Sequence, residues 1–276
     1  MTDLELKRQA VKIRQDIIEG VHAAASGHPG GSLSAADAIT VLYFDEMNID
    51  PQNPKKPDRD RFVLSKGHAA PAMYAALARK GYFPLEDIKS LRHIGCHLQG
   101  HPSVKDTPGV DASSGSLGQG VSVAVGMAIA AKLKKENWRV YAMLGDGELQ
   151  EGQVWEAAML AGFRKLDNLC LLIDNNGLQI DGDIAKVNSP YPINEKFEAF
   201  GFFTLDVKDS NDIAAIRHAL AEAKELSGKP VAIVLHTVKG KGVSFMENDA
   251  SWHGRGPNDE EYEKAMAELK EAEEAL

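Results

Sequence analysis

The sequence predicts an α/β fold, a parallel sheet covered by helices on both faces. Short apolar runs of strand length at 61–65, 139–144, 169–173, 203–207 and 231–236 alternate with longer stretches of helical periodicity. That alternation is the pattern of strands buried on both sides and joined by crossover helices. A chain of 276 residues is also long enough to bury one large core.

Each element has its own signal. Leu6, Ala10, Ile13, Ile17 and Val21 recur at helical spacing and predict an amphipathic first helix ended by Gly27. A Gly/Pro-rich loop is expected at 26–32, and Ser34 with Asp37 reads as a capping box opening a helix through Ala38, Val41 and Leu42. After the first strand an alanine-rich helix runs to Arg79 and stops at Gly81. Residues 92–116 carry His93, His97 and His101 among Gly and Pro without periodicity, the mark of a long functional loop. Small residues dominate 117–135, which predicts a helix pressed against a sheet or a sister subunit, because helix propensity alone would not select Gly118, Gly120 and Gly126. Helices are expected at 149–164, 194–200 and 212–226 between the later strands, and the acidic segment 259–276 predicts an exposed helix. No repeat or linker divides the chain, so a single domain over 1–276 is expected.

Composition excludes several functions. A formal charge of −9 argues against a nucleic-acid partner, which needs a concentrated basic face. The charged stretch 55–61 mixes signs around Pro57 and reads as a solvated loop. No run approaches the roughly 18 apolar residues of a membrane span, and the first residues lack a charged leader with an apolar core. Cys170 lies within an apolar run and is expected to be an inert core thiol, so a reducing cytoplasm is the expected location.

The chemistry is concentrated at Gly145-Asp146-Gly147-Glu148, which directly follows one apolar strand, ~30 residues before Asp174-Asn175-Asn176 at the next. Both then lie at the carboxyl ends of strands, the edge where open α/β sheets bind ligands. A carboxylate and an amide oxygen there suit Mg²⁺ or Ca²⁺ bridged to a diphosphate, with glycines letting the backbone approach phosphate oxygens. An Asp between glycines alone is an ordinary turn. Paired with the Asn at that separation it is a signature of thiamine-diphosphate enzymes.

The resemblance extends across the chain. Ser26-Gly27-His28-Pro29-Gly30-Gly31, the block 58–68 ending Ser65-Lys66-Gly67-His68, Gly100-His101-Pro102, Gly115-Ser116-Leu117-Gly118-Gln119-Gly120, Gly145-Asp146-Gly147-Glu148-Leu149-Gln150-Glu151-Gly152 and Trp252-His253-Gly254 stand in order. Together they resemble the N-terminal, diphosphate-binding domain of transketolases. The resemblance implies the thiamine-diphosphate-binding fold and ketol transfer from a ketose to an aldose, both commonly sugar phosphates. It implies Asp146, Asn176 and the main-chain carbonyl of Leu178 as metal ligands. His68, Ser116, Gly145, Gly147, Glu148 and His253 are implied as cofactor contacts, with Leu117 and Ile180 packing on its rings. His28, His101 and His253 are implied to orient donor hydroxyls and relay protons, and Glu151 to join an acidic network between the two cofactors of a dimer. Independently of any family, four of the nine histidines sit beside Gly or Pro in loops rather than on apolar helix faces, and a positioned imidazole contributes roughly 10² to 10⁴ in general acid/base catalysis.

Other readings compete for the same residues. His93, Cys96, His97 and His101 have spacings compatible with zinc, but lack the paired motif and distant second half usual for such sites. Glu151 also reads simply as a first-turn helix carboxylate. A deoxyxylulose-phosphate synthase, the α chain of a 2-oxoacid dehydrogenase and a non-catalytic remnant of the fold remain alternatives, against which stand the histidine set and Leu149-Gln150-Glu151-Gly152. Ser34, and Ser114-Gly115-Ser116 in place of Thr-Gly-Pro, depart from the family pattern. In the family a second α/β domain holds the aminopyrimidine ring, and nothing here matches it. The expectation is therefore a split enzyme whose partner, a C-terminal transketolase subunit, completes the pocket in an α2β2 assembly.

Overall fold

The computed structural model describes residues 1–276. Its main sheet has five parallel strands in the spatial order β1 (Arg61–Leu64), β2 (Val140–Gly145), β3 (Leu169–Asn175), β7 (Val231–His236), β6 (Phe203–Val207). A separate antiparallel pair, β4 (Leu178–Gln179) and β5 (Gly182–Asp183), lies just beyond the end of β3.

Side chains alternate across the sheet with the two-residue strand period. Phe62, Tyr141, Met143, Cys170, Leu172, Ile233 and Leu235 enter one core. Val63, Ala142, Leu144, Leu171, Ile173, Ala232 and Val234 enter the other. The first core is covered by α1 (Asp3–Ala23), α2 (Pro29–Val41), α3 (Ala70–Lys80), α8 (Ile213–Glu225) and one edge of α9 (Asp259–Glu274). The second is covered by α4 (Gln119–Lys134), α5 (Gly152–Phe163) and α7 (Ile193–Ala199). α1 is opened by a reciprocal capping box in which the Glu5 amide donates to Thr2 Oγ1 at 3.2 Å and the Thr2 amide donates to Glu5 Oε2 at 2.7 Å. Cys170 is fully buried, and burial pushes its thiol up to about 12, so it is inert.

Several expectations are corrected. Ser34 and Asp37 form no capping box. α2 already begins at Pro29, whose missing N–H costs nothing at a first helical position, and the two side chains face inward instead. Ser34 donates to Asp174 at 2.6 Å, and Asp37 accepts both arms of Arg14. Half of the expected loop 26–32 is therefore helix. Gly147–Gln150 forms a 3-10 turn, which delays α5 to Gly152. Asp174 and Asn175 close β3 rather than follow it. The final helix is not wholly exposed, since Ala265 and Leu269 join the first core. A short helix, α6 (Ile184–Asn188), and a π-helical turn, Leu42–Glu46, add to the expected elements.

The glycine-rich α4 lies close against the sheet as expected. A Cβ on Gly120 would stand 2.7 Å from Ser65 Cα at the end of β1, so only glycine permits that approach. Gly126 faces open space.

Candidate functional site

Register places the two motifs side by side. Gly145 of β2 pairs with Asp174 of β3, and the Asp146 amide donates to the Asp174 carbonyl at 3.2 Å. A cleft of about 170 Å³ opens there, lined by Gly31, Lys66, His68, Leu117, Gly145, Asp146, Gly147, Glu148, Glu151, Asn176, Leu178, Ile180, Lys239 and His253 among others. The sequence-predicted residues outside this lining are Ser116, His28 and His101.

One corner of the cleft collects oxygen donors. Asp146 is 2% exposed, and its carboxylate accepts from the amides of Gly147 at 2.8 Å and Gly177 at 2.6 Å. Burial, reinforced by the charge of Asp174, raises its pKa to about 6, against those two amides and Lys239. Asn176 Oδ1 accepts from the Leu178 amide at 3.1 Å, and the Leu178 carbonyl accepts from Lys239 Nζ at 3.0 Å. A carboxylate, an amide oxygen and a main-chain carbonyl therefore meet at the end of the sheet. An ammonium already stands at the carbonyl where a cation is expected.

Sequence reasoning gave no role to the residues that set this electrostatic frame. Asp174 is wholly buried and accepts from Lys66, Thr237, Ser34 at 2.6 Å and Asn176 at 3.2 Å. Burial alone would raise its pKa, yet the Lys66 charge and the hydrogen bonds hold it below the usual carboxylate range. Lys66 also donates to the Gly31 carbonyl at 2.8 Å. Burial, with Lys66 nearby, lowers Lys239 to about 8. The available signal was a lysine closing a strand in Ser65-Lys66-Gly67-His68 and another in the Lys239-Gly240-Lys241-Gly242 loop after β7, at the edge where anions bind.

Glu148 lines the cleft, but its carboxylate is taken up by the protein. It accepts from Ser65 Oγ, from the Gly118 amide at 2.8 Å and from the Gly145 amide at 3.1 Å. Glu151 is exposed at the N-cap of α5, where its Cβ would stand 2.9 Å from a Cβ on Gly118. Ser116 is exposed and outside the cleft lining; its carbonyl accepts from the Gln119 amide at the entry to α4.

Beyond Lys239, which bridges to His253, stands a cluster of imidazoles, the imidazole wall of the site. Ring centroids separate His28 from His68 by 5.3 Å, from His253 by 5.5 Å and from His101 by 6.5 Å, and His68 from His253 by 5.1 Å. These are the four loop histidines singled out by their Gly and Pro neighbours. Gly115 allows the packing, since a Cβ there would stand 3.1 Å from the His101 ring. Burial, then neighbouring cations, lowers every one of them: His28 to about 4, His253 to about 3, and His68 and His101 below their ordinary value. All four are uncharged at neutral pH. Lys239 Nζ lies 3.0 Å from His253 Nδ1, and an ammonium only donates, so that nitrogen accepts and Nε2 carries the hydrogen.

The zinc reading fails. His97 pairs with Asp87 at 3.0 Å, Cys96 contacts Ser90 at 2.8 Å, His101 belongs to the imidazole wall, and nowhere do three or more His, Cys, Asp or Glu side chains converge as a metal site.

Residues 6–272 match the family model of the transketolase thiamine diphosphate binding domain. This chain belongs to the transketolase family. It is similar to the 6-deoxy-6-sulfo-D-fructose transketolase subunit SqwG of a Clostridium species, 45% identical over 97% of this chain and 97% of that one. It is 42% identical to one of the subunits of the apulose-4-phosphate transketolase of Phocaeicola vulgatus, over 98% and 96% of the two chains. Against human transketolase it is 42% identical over 91% of its length, spanning 40% of that longer protein. The transketolase of Campylobacter jejuni superposes with a TM-score of 0.92 at 36% identity, covering 98% of this chain and 43% of that one. The fold is thus that of the thiamine-diphosphate-binding part of a transketolase, and the coverage matches relatives that are themselves subunits.

Proposed function

We propose that this chain is the single-domain diphosphate- and metal-binding subunit of a split transketolase, moving a two-carbon ketol unit from a ketose donor to an aldose acceptor. The observation that carries this reading is the oxygen corner of Asp146, Asn176 and the Leu178 carbonyl facing Lys66 and Lys239 in one cleft. Three hard oxygen donors, one of them charged and without an ion-pair partner of its own, fit Mg²⁺, and Ca²⁺ by the same chemistry. The two lysines and the Gly147 amide supply positive potential for the diphosphate. Thiamine diphosphate, when bound, supplies the electron sink that makes a carbon–carbon bond next to a carbonyl labile.

This chain's side chains then bind and orient. Leu117 and Ile180, the latter 66% exposed, offer apolar cover for the cofactor rings from one side. His28, His101 and His253, held neutral, can each present a ring nitrogen to a sugar oxygen, which suits orientation and proton exchange with donor hydroxyls. A partner subunit carrying the pyrimidine-binding domain closes the other side. The outward faces of α4 and α5 bear Val123, Met159 and Phe163, the last 79% exposed, an apolar surface that supports assembly with other subunits as α2β2. The two free cysteines support a cytoplasmic enzyme of carbohydrate metabolism. Relatives are named for 6-deoxy-6-sulfo-D-fructose and for apulose 4-phosphate, which supports a sugar substrate with an anionic group, a class that includes pentose-pathway phosphates.

The test is reconstitution. Co-expressed with its complementary subunit, the chain should copurify and transfer ketol units in the presence of Mg²⁺ and thiamine diphosphate, while alone it should show little transfer. Robust turnover by this polypeptide alone, or magnesium-dependent cofactor binding that survives Asp146→Ala, would overturn the reading.

A further inference from the structure

Arg92 belongs to none of the groups described above, yet it stands behind the imidazole wall. Its backbone adopts φ 62, a left-handed conformation that costs a non-glycine residue about 1 kcal/mol or more, and its amide donates to the Leu98 carbonyl at 2.9 Å. The guanidinium is thereby brought back toward the head of α2. Nη1 donates to Ser26 Oγ at 2.9 Å, while Nη2 lies 3.5 Å from the Gly100 carbonyl and 3.5 Å from Nδ1 of His28. All three partners of the guanidinium are uncharged, so this half-buried cation keeps its full field. A Cβ on Gly100 would stand 3.3 Å from the guanidinium carbon, so a side chain there would press the guanidinium aside by a few tenths of an ångström.

We propose that Arg92 is a positioning residue for ketol transfer, a donor-only cation that fixes His28 as the Nε2–H tautomer. A guanidinium has five N–H groups, no lone pair to offer and no accessible neutral form. In the observed orientation Nδ1 faces Arg92 and must accept, so the hydrogen resides on Nε2, the ring edge nearest Gly254 in the segment carrying His253. The groups that bear on His28 act in one direction: burial first, then the charges of Arg92 and Lys239, with the rings of His68, His101 and His253 completing its surroundings. For His101 the influences are burial and Arg92. A sugar hydroxyl meets a preset donor at His28 rather than a ring that must choose between tautomers. Lys239 sets His253 in the same way, so two loops from opposite ends of the chain use one device. The inference rests on the ketol-transfer reading for its purpose but not for its chemistry.

The experiment uses the full-length chain with ¹⁵N-labelled histidine, saturated with Mg²⁺ and thiamine diphosphate, and long-range ¹H–¹⁵N spectra with the His28 signal assigned through His28→Gln. In the unaltered chain His28 should show the Nε2–H pattern and hold it from about pH 8 to about pH 5.5. Arg92→Met should mix the tautomers and raise the titration midpoint by about one pH unit or more, while Arg92→Lys, which keeps a donor-only cation, should stay near the original. In the assembled enzyme Arg92→Met should lower kcat for the donor half-reaction about tenfold at pH 6 and add an acid limb to its pH profile. Cofactor affinity should be unchanged. A hydrogen on Nδ1 in the unaltered chain overturns the proposal without any variant, and so does an Arg92→Met spectrum identical to the original. Because the spectra require no turnover, an assembled enzyme that fails to transfer ketol units counts against the functional reading alone.

Discussion

The two halves of the site solve opposite problems. The corner around Asp146 and Asp174 concentrates charge, two buried carboxylates against Lys66 and Lys239, whereas the wall of His28, His68, His101 and His253 has been stripped of it. A diphosphate with its cation needs strong local fields, and burial makes fields strong. Sugar hydroxyls are neutral and need donors and acceptors in fixed places, which burial and nearby cations also enforce by keeping imidazoles unprotonated. One physical lever, removal from water, therefore yields ions on one side and neutral rings on the other. Each side's own partners decide the outcome.

The contrast can be broken from the charged side first. Lys66 and Asp174 each have side chains only 1% exposed. Lys66→Met should therefore cost about 3–5 kcal/mol of folding stability in urea titrations by leaving a carboxylate unpaired, and adding Asp174→Asn should recover most of that loss. Next in size, Asp146→Ala should weaken thiamine diphosphate binding in Mg²⁺ by about 100-fold or more in calorimetry, because the carboxylate proposed to hold the metal is lost outright. A smaller effect tests the neutral side. Unfolded imidazoles take a proton near 6.5, whereas His28 and His253 wait until about 4 and about 3. Protons thus favour the unfolded chain across that window. Thermal midpoints should fall as pH drops from about 6.5 to about 4, and His28→Gln with His253→Gln should flatten the slope. Smallest of all, Ser116→Ala should leave cofactor affinity within about twofold, since the residue lies on the surface outside the cleft.

Much of this architecture is legible in the sequence. The strands follow from their apolar runs, and register then brings Gly145 opposite Asp174 without further information. The four loop histidines are readable because Gly and Pro neighbours exclude an apolar helix face. What escapes is decided by side-chain direction rather than residue type. Ser34 and Asp37 have the letters of a capping box, but Pro29 starts the helix a turn and a half earlier and turns both inward. Lys66 and Lys239 look like surface residues, and only the fold reveals them as the least hydrated cations of the cleft. Arg92 gives no periodic or motif signal at all, since its place depends on a left-handed residue in an irregular loop.

Glu148 carries a last implication. One carboxylate ties the ends of β1 and β2 to the start of α4, through Ser65, Gly145 and Gly118. Three remote stretches of chain are thereby knotted together by folding itself, ahead of any visitor. The vitamin-derived guest should find its berth already shaped, so its arrival need not be accompanied by local refolding of this chain.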